Sequence, residues 1–371
     1  MKKIILSILI LTTISVSAQN VSIPDANFKT YLVGNTAINT NGDTEIQTSE
    51  ATAFTGLISC GGLTISDLTG IEAFTNLTDL RCNNNAITSL NVSQNTALTG
   101  LYCHNNSLTS LNVTNNTALT YLACGDNSLT SLNVTQNTAL TKLECYSNLL
   151  TNLDITLNTD LTHLWCYDNS FTSLNVSQNT ALTYLTCNDN SLTNIDVTQN
   201  TALTGLSCNY NSLNSLNLTQ NTALTTLYCS SNSLTSLNVA NGNNTAITDF
   251  YATSNPNLTC IQVDDVAWST TNWTNIDATA SFSLNCNTST GVNETKKITL
   301  TIYPNPVTNQ LSLNNGELKI ESILILDITG KTVKTIKGNV KTIDVADLTK
   351  GIYFIQIQTE KGLINKKFIK E

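Results

Sequence analysis

A repeat of 21 residues dominates this sequence. The unit is written eight times between Leu77 and Asn244, as in LTYLACGDNSLTSLNVTQNTA from Leu119 to Ala139. A unit of this length cannot bury an apolar face alone, so successive units must stack and share one continuous core. The sequence therefore predicts a solenoid with one coil per repeat.

Apolar residues at fixed places predict the structure within each unit. They fall at positions 1, 4 and 6 and again at 11, 14 and 16, and Asn follows at positions 9 and 19. The alternation in each half is that of a half-buried strand, so we expect two parallel sheets, one from each half. We expect the Asn at position 9 to bond backbone groups at a turn rather than a ligand. This column comprises Asn85, Asn106, Asn127, Asn148, Asn169, Asn190, Asn211 and Asn232.

The string L-x-x-L-x-(L/C)-x-x-N-x-L resembles the leucine-rich repeat, with Cys at the last apolar place of the strand. The 21-residue coils look most like those of secreted Bacteroidetes and internalin-like proteins. The resemblance implies a mainly β solenoid of parallel strands at residues 57–250. Because the back half is so strand-like, we expect a flatter, two-sheeted coil than the helix-backed horseshoe of other members.

The cysteines fall into two groups. Eight occupy position 6, where neighbouring strands lie about 4.8 Å apart, whereas a disulfide needs Cβ atoms about 3.8 Å apart. We predict a column of buried free thiols; a soft-metal ladder is the alternative, which the lack of interleaved His disfavours. The column comprises Cys82, Cys103, Cys124, Cys145, Cys166, Cys187, Cys208 and Cys229. Cys260 and Cys286 lie outside this register, and we predict that they pair in a C-terminal cap at 251–286.

The segments before the repeats predict export and an N-terminal cap. Residues 1–18 combine two Lys, an apolar run and the small-residue ending VSA, which is typical of a secretory signal peptide. No second apolar stretch is long enough to span a bilayer. Residues 19–56 should cap the first coil's open sheet edge with a short amphipathic helix. Its first turn holds Pro24 and Asp25, its apolar face holds Phe28, Tyr31 and Leu32, and Gly34 ends it.

The segment 39–50 has a second interpretation as a degenerate calcium loop. Its oxygen-bearing side chains stand at loop positions 1, 3, 5 and 12, the places that supply calcium ligands. Two places depart from that pattern, since Asn39 replaces the usual Asp and Thr44 the usual Gly. A capping loop without metal is the alternative. The candidate calcium ligands are Asn39, Asn41, Asp43 and Glu50.

The C-terminal residues change character after a polar linker at 287–297. Residues 298–371 alternate β-branched residues with Lys and resemble the C-terminal sorting domain of the type IX secretion pathway. The matching motifs are Tyr303-Pro304-Asn305-Pro306, the Gly330-Lys331 turn, Gly351-Ile352-Tyr353 and Lys366-Lys367-Phe368. The resemblance implies a β-sandwich that engages the type IX secretion machinery, and a protein that is secreted or attached to the outer cell surface. A small β-sandwich without this role is the alternative.

Charge excludes several classes of function. Residues 19–295 hold 3 basic and 19 acidic side chains, whereas residues 296–371 hold 12 Lys and 7 acidic side chains. The acidic solenoid lacks the Lys and Arg clusters that bind nucleic acid, so we expect no such partner. With two His, no Ser-His-Asp spacing and no phosphate loop, we expect no catalytic residues and no enzymatic activity. We expect a monomer without a cofactor, apart from the calcium considered above.

The repeats also permit a comparison within the chain. Outward places of the back half stay nearly the same from coil to coil, whereas positions 3 and 5 of the front half differ. Drift alone would scatter differences over both halves, so we predict that the front sheet binds a protein or glycan ligand through exposed aromatic rings. Alternatively, aromatic residues are simply favourable in strands. The predicted binding residues are Tyr102, Tyr121, Tyr146, His163, Tyr167, Tyr184 and Tyr228 around a central Trp165.

A role of a different class rests on the back half. Its repeated Ser, Asn and Thr form a flat, regular array that fits a structural or ice-binding surface protein. Strand spacing alone gives the same regularity. The sequence therefore favours a secreted or cell-surface adhesion protein that binds through its front sheet.

Overall fold

The computed structural model describes residues 19–286, 300–314, 319–360 and 362–371. The chain divides between Asn287 and Thr288 into two compact units. Each unit has a hydrophobic core of its own. The signal peptide predicted at 1–18 and the linker predicted at 287–297 lie outside the described residues.

Short parallel strands build the first unit. They are β1 (Leu57–Ser59), β2 (Asp79–Arg81), β3 (Gly100–Tyr102), β4 (Tyr121–Ala123), β5 (Lys142–Glu144), β6 (His163–Trp165), β7 (Tyr184–Thr186), β8 (Gly205–Ser207), β9 (Ser215–Asn217), β10 (Thr226–Tyr228), β11 (Ser236–Asn238), β12 (Asp249–Ala252), β13 (Cys260–Gln262), β14 (Asn275–Ile276) and β15 (Ser281–Ser283). Eleven of them form the front sheet, in the order β1-β2-β3-β4-β5-β6-β7-β8-β10-β12-β14.

The register of the front sheet follows the repeat. Leu101 in β3 pairs with Leu122 in β4, and Leu122 pairs with Leu143 in β5, so position 4 of every coil stacks in one column. These Leu side chains are fully buried. Positions 3 and 5 therefore project from the opposite side of the sheet. The mainly β, parallel solenoid predicted from the sequence is confirmed.

The second sheet is shorter than the sequence predicts. It contains four strands in the order β15-β13-β11-β9, all from the C-terminal coils. In the earlier described coils the back half has one isolated bridge, between Asn112 and Asn133. Oδ1 of Asn112 accepts from the backbone amide of Thr114 at 3.1 Å, but Asn217 in β9 and Asn238 in β11 make the same bond inside the four-stranded sheet, so this bond does not explain the missing strands. Asn133, Asp154, Asn175 and Asp196 make the same bond in their coils.

The Asn of position 9 tie each turn together, as predicted. Nδ2 of Asn148 donates to the backbone oxygens of Cys124, Cys145 and Tyr146 at 3.0–3.2 Å. Its Oδ1 accepts from the backbone amide of Leu129 at 2.9 Å. The amide thus pairs buried polar groups of neighbouring coils that have no ladder partner. The Asn of position 19 form a second, fully buried column: Asn95, Asn116, Asn137, Asn158, Asn179, Asn200 and Asn221.

The cysteine column lies in the core. Its eight predicted members are buried and free, and Cys60 extends the column by one coil. Burial raises the pKa of Cys103, Cys145, Cys187 and Cys229 to about 12. These thiols are therefore small hydrophobic side chains at neutral pH.

Caps cover both ends of the solenoid. At the N-terminal end, α1 (Ala26–Gly34) begins after the N-cap Asp25 and buries Phe28 and Leu32, and α2 (Thr48–Ala53) follows it. At the C-terminal end lies α3 (Val266–Asn272), and the Sγ atoms of Cys260 and Cys286 are bonded at 2.05 Å. Two short 3-10 helices, Ile71–Ala73 and Asn244–Ala246, lie within the solenoid.

The second unit is an antiparallel β domain. Its strands are β16 (Thr301–Tyr303), β17 (Gln310–Asn314), β18 (Ile320–Leu326), β19 (Thr332–Lys337), β20 (Thr342–Asp344), β21 (Gly351–Thr359) and β22 (Gly362–Lys370). They form a three-stranded sheet, β16-β17-β20, and a four-stranded sheet, β19-β18-β21-β22. The buried side chains of both sheets share one core, as expected of a separate β domain. Across the described parts of both units, no helix combines the length and apolar character needed to cross a membrane.

Candidate ligand-binding surface

Aromatic side chains project from the front sheet at several coils. Six of the eight predicted binding residues lie in strands of this sheet: Tyr102, Tyr121, His163, Trp165, Tyr184 and Tyr228. The other two, Tyr146 and Tyr167, lie two residues beyond the ends of β5 and β6. Tyr184 is 47% exposed, and the remaining seven are half-buried because neighbouring rings cover them. The rings group into four clusters along the solenoid.

The first cluster joins β2 to β5. The rings of Tyr102 and Tyr121 meet edge to face at 4.8 Å, and the Arg81 guanidinium lies 4.9 Å from the centre of the Tyr102 ring. The Lys142 ammonium lies 5.7 Å from the centre of the Tyr121 ring, and the Tyr121 hydroxyl donates to Glu144. Burial raises the pKa of Tyr121, and the bond to Glu144 raises it further. Arg81 and Lys142, the two basic side chains in the strands of the front sheet, thus both lie against Tyr rings.

The second cluster is a stacked pair just beyond the strands. The rings of Tyr146 and Tyr167 are nearly parallel, with centroids 4.7 Å apart. Tyr146 lies over Gly125, where an added Cβ would be 2.6 Å from its Cζ. Burial raises the pKa of Tyr146 to about 12. Gly125 therefore allows the ring to lie flat against the neighbouring coil.

The third cluster contains the predicted central residue. The His163 ring lies 5.3 Å from the Trp165 ring and stacks on the Tyr184 ring at 5.2 Å. Burial lowers the pKa of His163, and the charge of Lys142 lowers it further. His163 is therefore neutral at pH 7 and serves here as a flat ring between two aromatic neighbours.

The fourth cluster pairs Tyr228 with a residue that the sequence reasoning missed. Tyr251 in β12 lies beside Tyr228 in register, with ring centroids 5.1 Å apart, and is 41% exposed. It falls outside the strict 21-residue repeat, because the segment 241–248 breaks the period. The alternation in the segment DFYA could have identified its outward position. Arg81 and Lys142 were also missed as ring partners.

The segment proposed as a calcium loop forms a hydrogen-bonded turn. The Oδ1 atoms of Asn39, Asn41 and Asp43 each accept a backbone amide at 2.7–3.0 Å. Oε1 of Glu50 accepts the amide and hydroxyl of Thr40 at 2.8 and 3.0 Å. Burial acts to raise the pKa of Glu50, but these and other hydrogen bonds offset it and hold that pKa below its ordinary value.

This geometry fits the capping-loop alternative at Glu50, because Oε1 of that side chain already accepts three hydrogen bonds from protein donors. Among the described residues, no group of three or more His, Cys, Asp or Glu side chains is placed to hold a metal ion. Calcium binding at 39–50 stays a prediction.

Comparisons with known proteins identify the C-terminal unit and the fold of the solenoid. The family model described as a secretion system C-terminal sorting domain matches residues 301–371. Among solved structures, the functional domain of InlJ from Listeria monocytogenes is 24% identical with a TM-score of 0.50, covering 95% of this chain and 99% of that one. That domain is described as including a cysteine ladder.

Two further solved structures are more distant. The internalin inlF of Listeria monocytogenes is 19% identical, with a TM-score of 0.41 over 73% of this chain and 94% of that one. A leucine-rich repeat protein of Leptospira interrogans is 19% identical, with a TM-score of 0.39 over 58% of this chain and 74% of that one. Among curated proteins, no sequence relative of this chain was found. Residues 301–371 are thus a type IX secretion sorting domain, the solenoid has the fold of leucine-rich repeat proteins, and the protein is secreted or attached to the outer cell surface.

Proposed function

We propose that this protein binds a protein or glycan ligand on the front sheet of its solenoid and performs no chemistry on it. The observation that carries the proposal is the distribution of differences among the repeats. Positions 3 and 5 of the front sheet change at every coil, whereas the outward places of the back half repeat as Ser, Asn and Thr. A solenoid whose outward side chains differ from coil to coil on one side only is expected to bind a ligand on that side.

The ring clusters support this proposal by their rigidity. Tyr and Trp offer large contact areas with few rotatable bonds, so little side-chain entropy is lost on binding. Contacts such as the stacked pair of Tyr146 and Tyr167 reduce that loss further. The clusters extend along the front sheet from β2 to β12, a surface suited to an extended ligand.

The ice-binding alternative has weaker support. It requires the back-half hydroxyls to be free to bond ordered water. The hydroxyls of Thr114 and Thr135 instead donate to Oδ1 of Asn112 and Asn133, each at 2.8 Å. A thermal-hysteresis assay on residues 19–371 tests this alternative, and a measurable hysteresis would favour it over adhesion.

Ligand capture tests the binding proposal. Residues 19–371 are immobilised and exposed to a glycan array and to extracellular protein extracts, with residues 298–371 alone as the matched control because they have a core of their own. We expect a ligand retained by residues 19–371 and absent from the control. A ligand retained equally by the sorting domain alone would contradict a binding role for the solenoid.

We also propose that residues 298–371 engage the secretion machinery. Deleting them leaves the solenoid and its caps intact, because the two units have separate cores. In the native host, the truncated protein should fold and accumulate in the periplasm. Arrival of that protein at the cell surface would contradict this role of the sorting domain.

A further inference from the structure

A small cleft interrupts the aromatic surface at the coil that contains β8. In that coil the outward residues are Gly205 and Ser207, and no other repeat has so small a pair of side chains at positions 3 and 5. The cleft has a volume of about 150 Å³, and Tyr184 and Tyr228 stand on its two sides. Its other lining residues are Leu185, Thr186, Leu206 and Thr226.

Both walls of the cleft are held in place. The Tyr184 ring lies against Gly205, where an added Cβ would be 2.7 Å from its Cδ1, and its stacking partner is His163 at 5.2 Å. The Tyr228 ring is supported by Tyr251 at 5.1 Å. Walls that are already ordered lose little entropy when a ligand enters.

The size of the cleft suits one inserted side chain. An apolar cavity of about 150 Å³ holds a group the size of benzene. The cleft therefore admits one ring or branched side chain between the two tyrosines.

The chemistry of the lining selects against sugars. No polar atom is exposed inside the cleft. A sugar ring would lose water from its hydroxyls there without gaining hydrogen bonds, which costs free energy. An apolar side chain has no such cost and gains by burial.

The charge around the cleft predicts which kind of residue lies next to the inserted side chain in the ligand. Residues 143–295 contain 11 acidic side chains and no Lys or Arg. Asp249, which is exposed, lies beside Thr226 in the register of β10 and β12. A basic residue next to the inserted side chain would meet this carboxylate.

The same coil carries a bulky residue in a backbone conformation that disfavours it. Tyr210 has φ of +52° and is 61% exposed. Equivalent places in the seven other repeats carry Asn, Asp or Ser, which tolerate the left-handed region better than a bulky side chain does. Strain retained at an exposed residue is characteristic of functional sites.

We propose that the cleft between Tyr184 and Tyr228 is the anchor site for an aromatic or branched apolar side chain of a protein partner, next to a Lys or Arg. This inference rests on the proposed function and names the ligand class for one part of the front sheet. It does not depend on the position of Trp165.

Filling the cleft provides the test. Ser207→Tyr places at position 5 the side chain that other coils carry there, as at Tyr102 and Tyr228, so the coil should still fold. The matched control is Ser215→Tyr, which adds the same side chain to the exposed back face of the same coil. Tyr184→Ala removes one wall at a residue that is 47% exposed, and it remains informative if Ser207→Tyr fails to fold.

The probe is a phage-displayed library of random 12-residue peptides selected on residues 19–371, alongside a glycan array. We expect enriched peptides with Phe, Tyr, Trp, Leu or Ile next to Lys or Arg. Their affinity should fall at least about tenfold with Ser207→Tyr and with Tyr184→Ala and stay within about twofold with Ser215→Tyr.

Other outcomes overturn the inference. It is wrong if no peptide is enriched, if enriched peptides bind the filled cleft as well as the original one, or if only glycan binding is lost on filling it. Peptides that ignore Ser207→Tyr but are lost with Trp165→Ala would overturn the cleft and leave the proposed function standing. Peptides that no front-sheet variant affects would overturn both.

Discussion

The two sides of the solenoid come from the same 21-residue unit but use their outward side chains differently. On the back half, residues such as Asn112 and Thr114 bond each other and the local backbone. On the front sheet, residues such as Trp165 and Tyr184 contact other rings rather than their own backbone. The back positions are therefore constrained by local structure, whereas the front positions can change without altering the coil.

The largest expected effect is a loss of folding stability in alkaline solution, which arises from the cysteine column in the core that both sides share. Burial raises the pKa of Cys103, Cys145, Cys187 and Cys229 to about 12, against about 8.5 for an unfolded thiol. Since the folded-state pKa is the higher one, the stabilisation is complete below about pH 8.5 and is lost as pH rises toward 12. Each such thiol should lower the free energy of unfolding by up to about 1.4 kcal/mol per pH unit in that window.

Circular dichroism melts between pH 7 and pH 10.5 measure this loss. Cys145→Ala with Cys187→Ala should flatten the slope, and a Tm that is independent of pH would contradict the buried column. At pH 8, iodoacetamide should label the nine free cysteines only after denaturation. Mass spectrometry of the same digest should recover Cys260 and Cys286 as one disulfide-linked peptide.

The second prediction compares a structural column with the variable surface. Asn148→Ala removes four hydrogen bonds and leaves the buried amide of Leu129 unpaired, so we expect a loss of about 3 kcal/mol. Tyr184→Ala removes one stacking contact at a half-exposed site, so we expect about 1 kcal/mol. Urea unfolding followed by far-UV circular dichroism gives both values. Equal losses would show that the front rings are structural.

The smallest expected effect concerns the N-terminal cap, where both sides of the solenoid begin. Oε1 of Glu50 accepts three hydrogen bonds from Thr40 and Asn41, so calcium has to displace existing hydrogen bonds to reach that atom. We expect 1 mM calcium to shift the Tm by less than about 1 °C relative to EGTA. A larger rise that Glu50→Gln abolishes would establish the calcium loop instead.

Regular features of the molecule could be predicted from the sequence because periodicity fixes them. The coil, the inward Leu and Cys columns and the bonding of Asn148 all follow from residue spacing. The limited extent of the second sheet could not be predicted, since the alternating pattern and the local side-chain bond are the same in coils without a back strand, as at Asn112, and with one, as at Asn217. The helix α2 was missed because its first residues fell within the segment interpreted as a calcium loop. The place of Tyr251 was missed because the period breaks just before it.

Two side chains at the centre of the front sheet are less exposed to solvent than an outward position predicts. Trp165 and Tyr167 project outward, yet each is half-buried against a neighbouring ring. Their replacement should therefore cost about 1–2 kcal/mol of stability rather than almost none. Binding must be measured at a temperature where the variant is fully folded.

The most direct test of the central claim is the affinity of two double variants for the ligand that residues 19–371 retain in the capture experiment. Trp165→Ala with Tyr167→Ala changes the front of one coil, and Ser173→Ala with Asn175→Ala changes the back of the same coil. We expect the front pair to lose about 2 kcal/mol or more of binding free energy, which is about 30-fold in Kd. The back pair should stay within about twofold of the unchanged protein. A back pair that weakens binding more than the front pair would contradict the assignment of recognition to the front sheet.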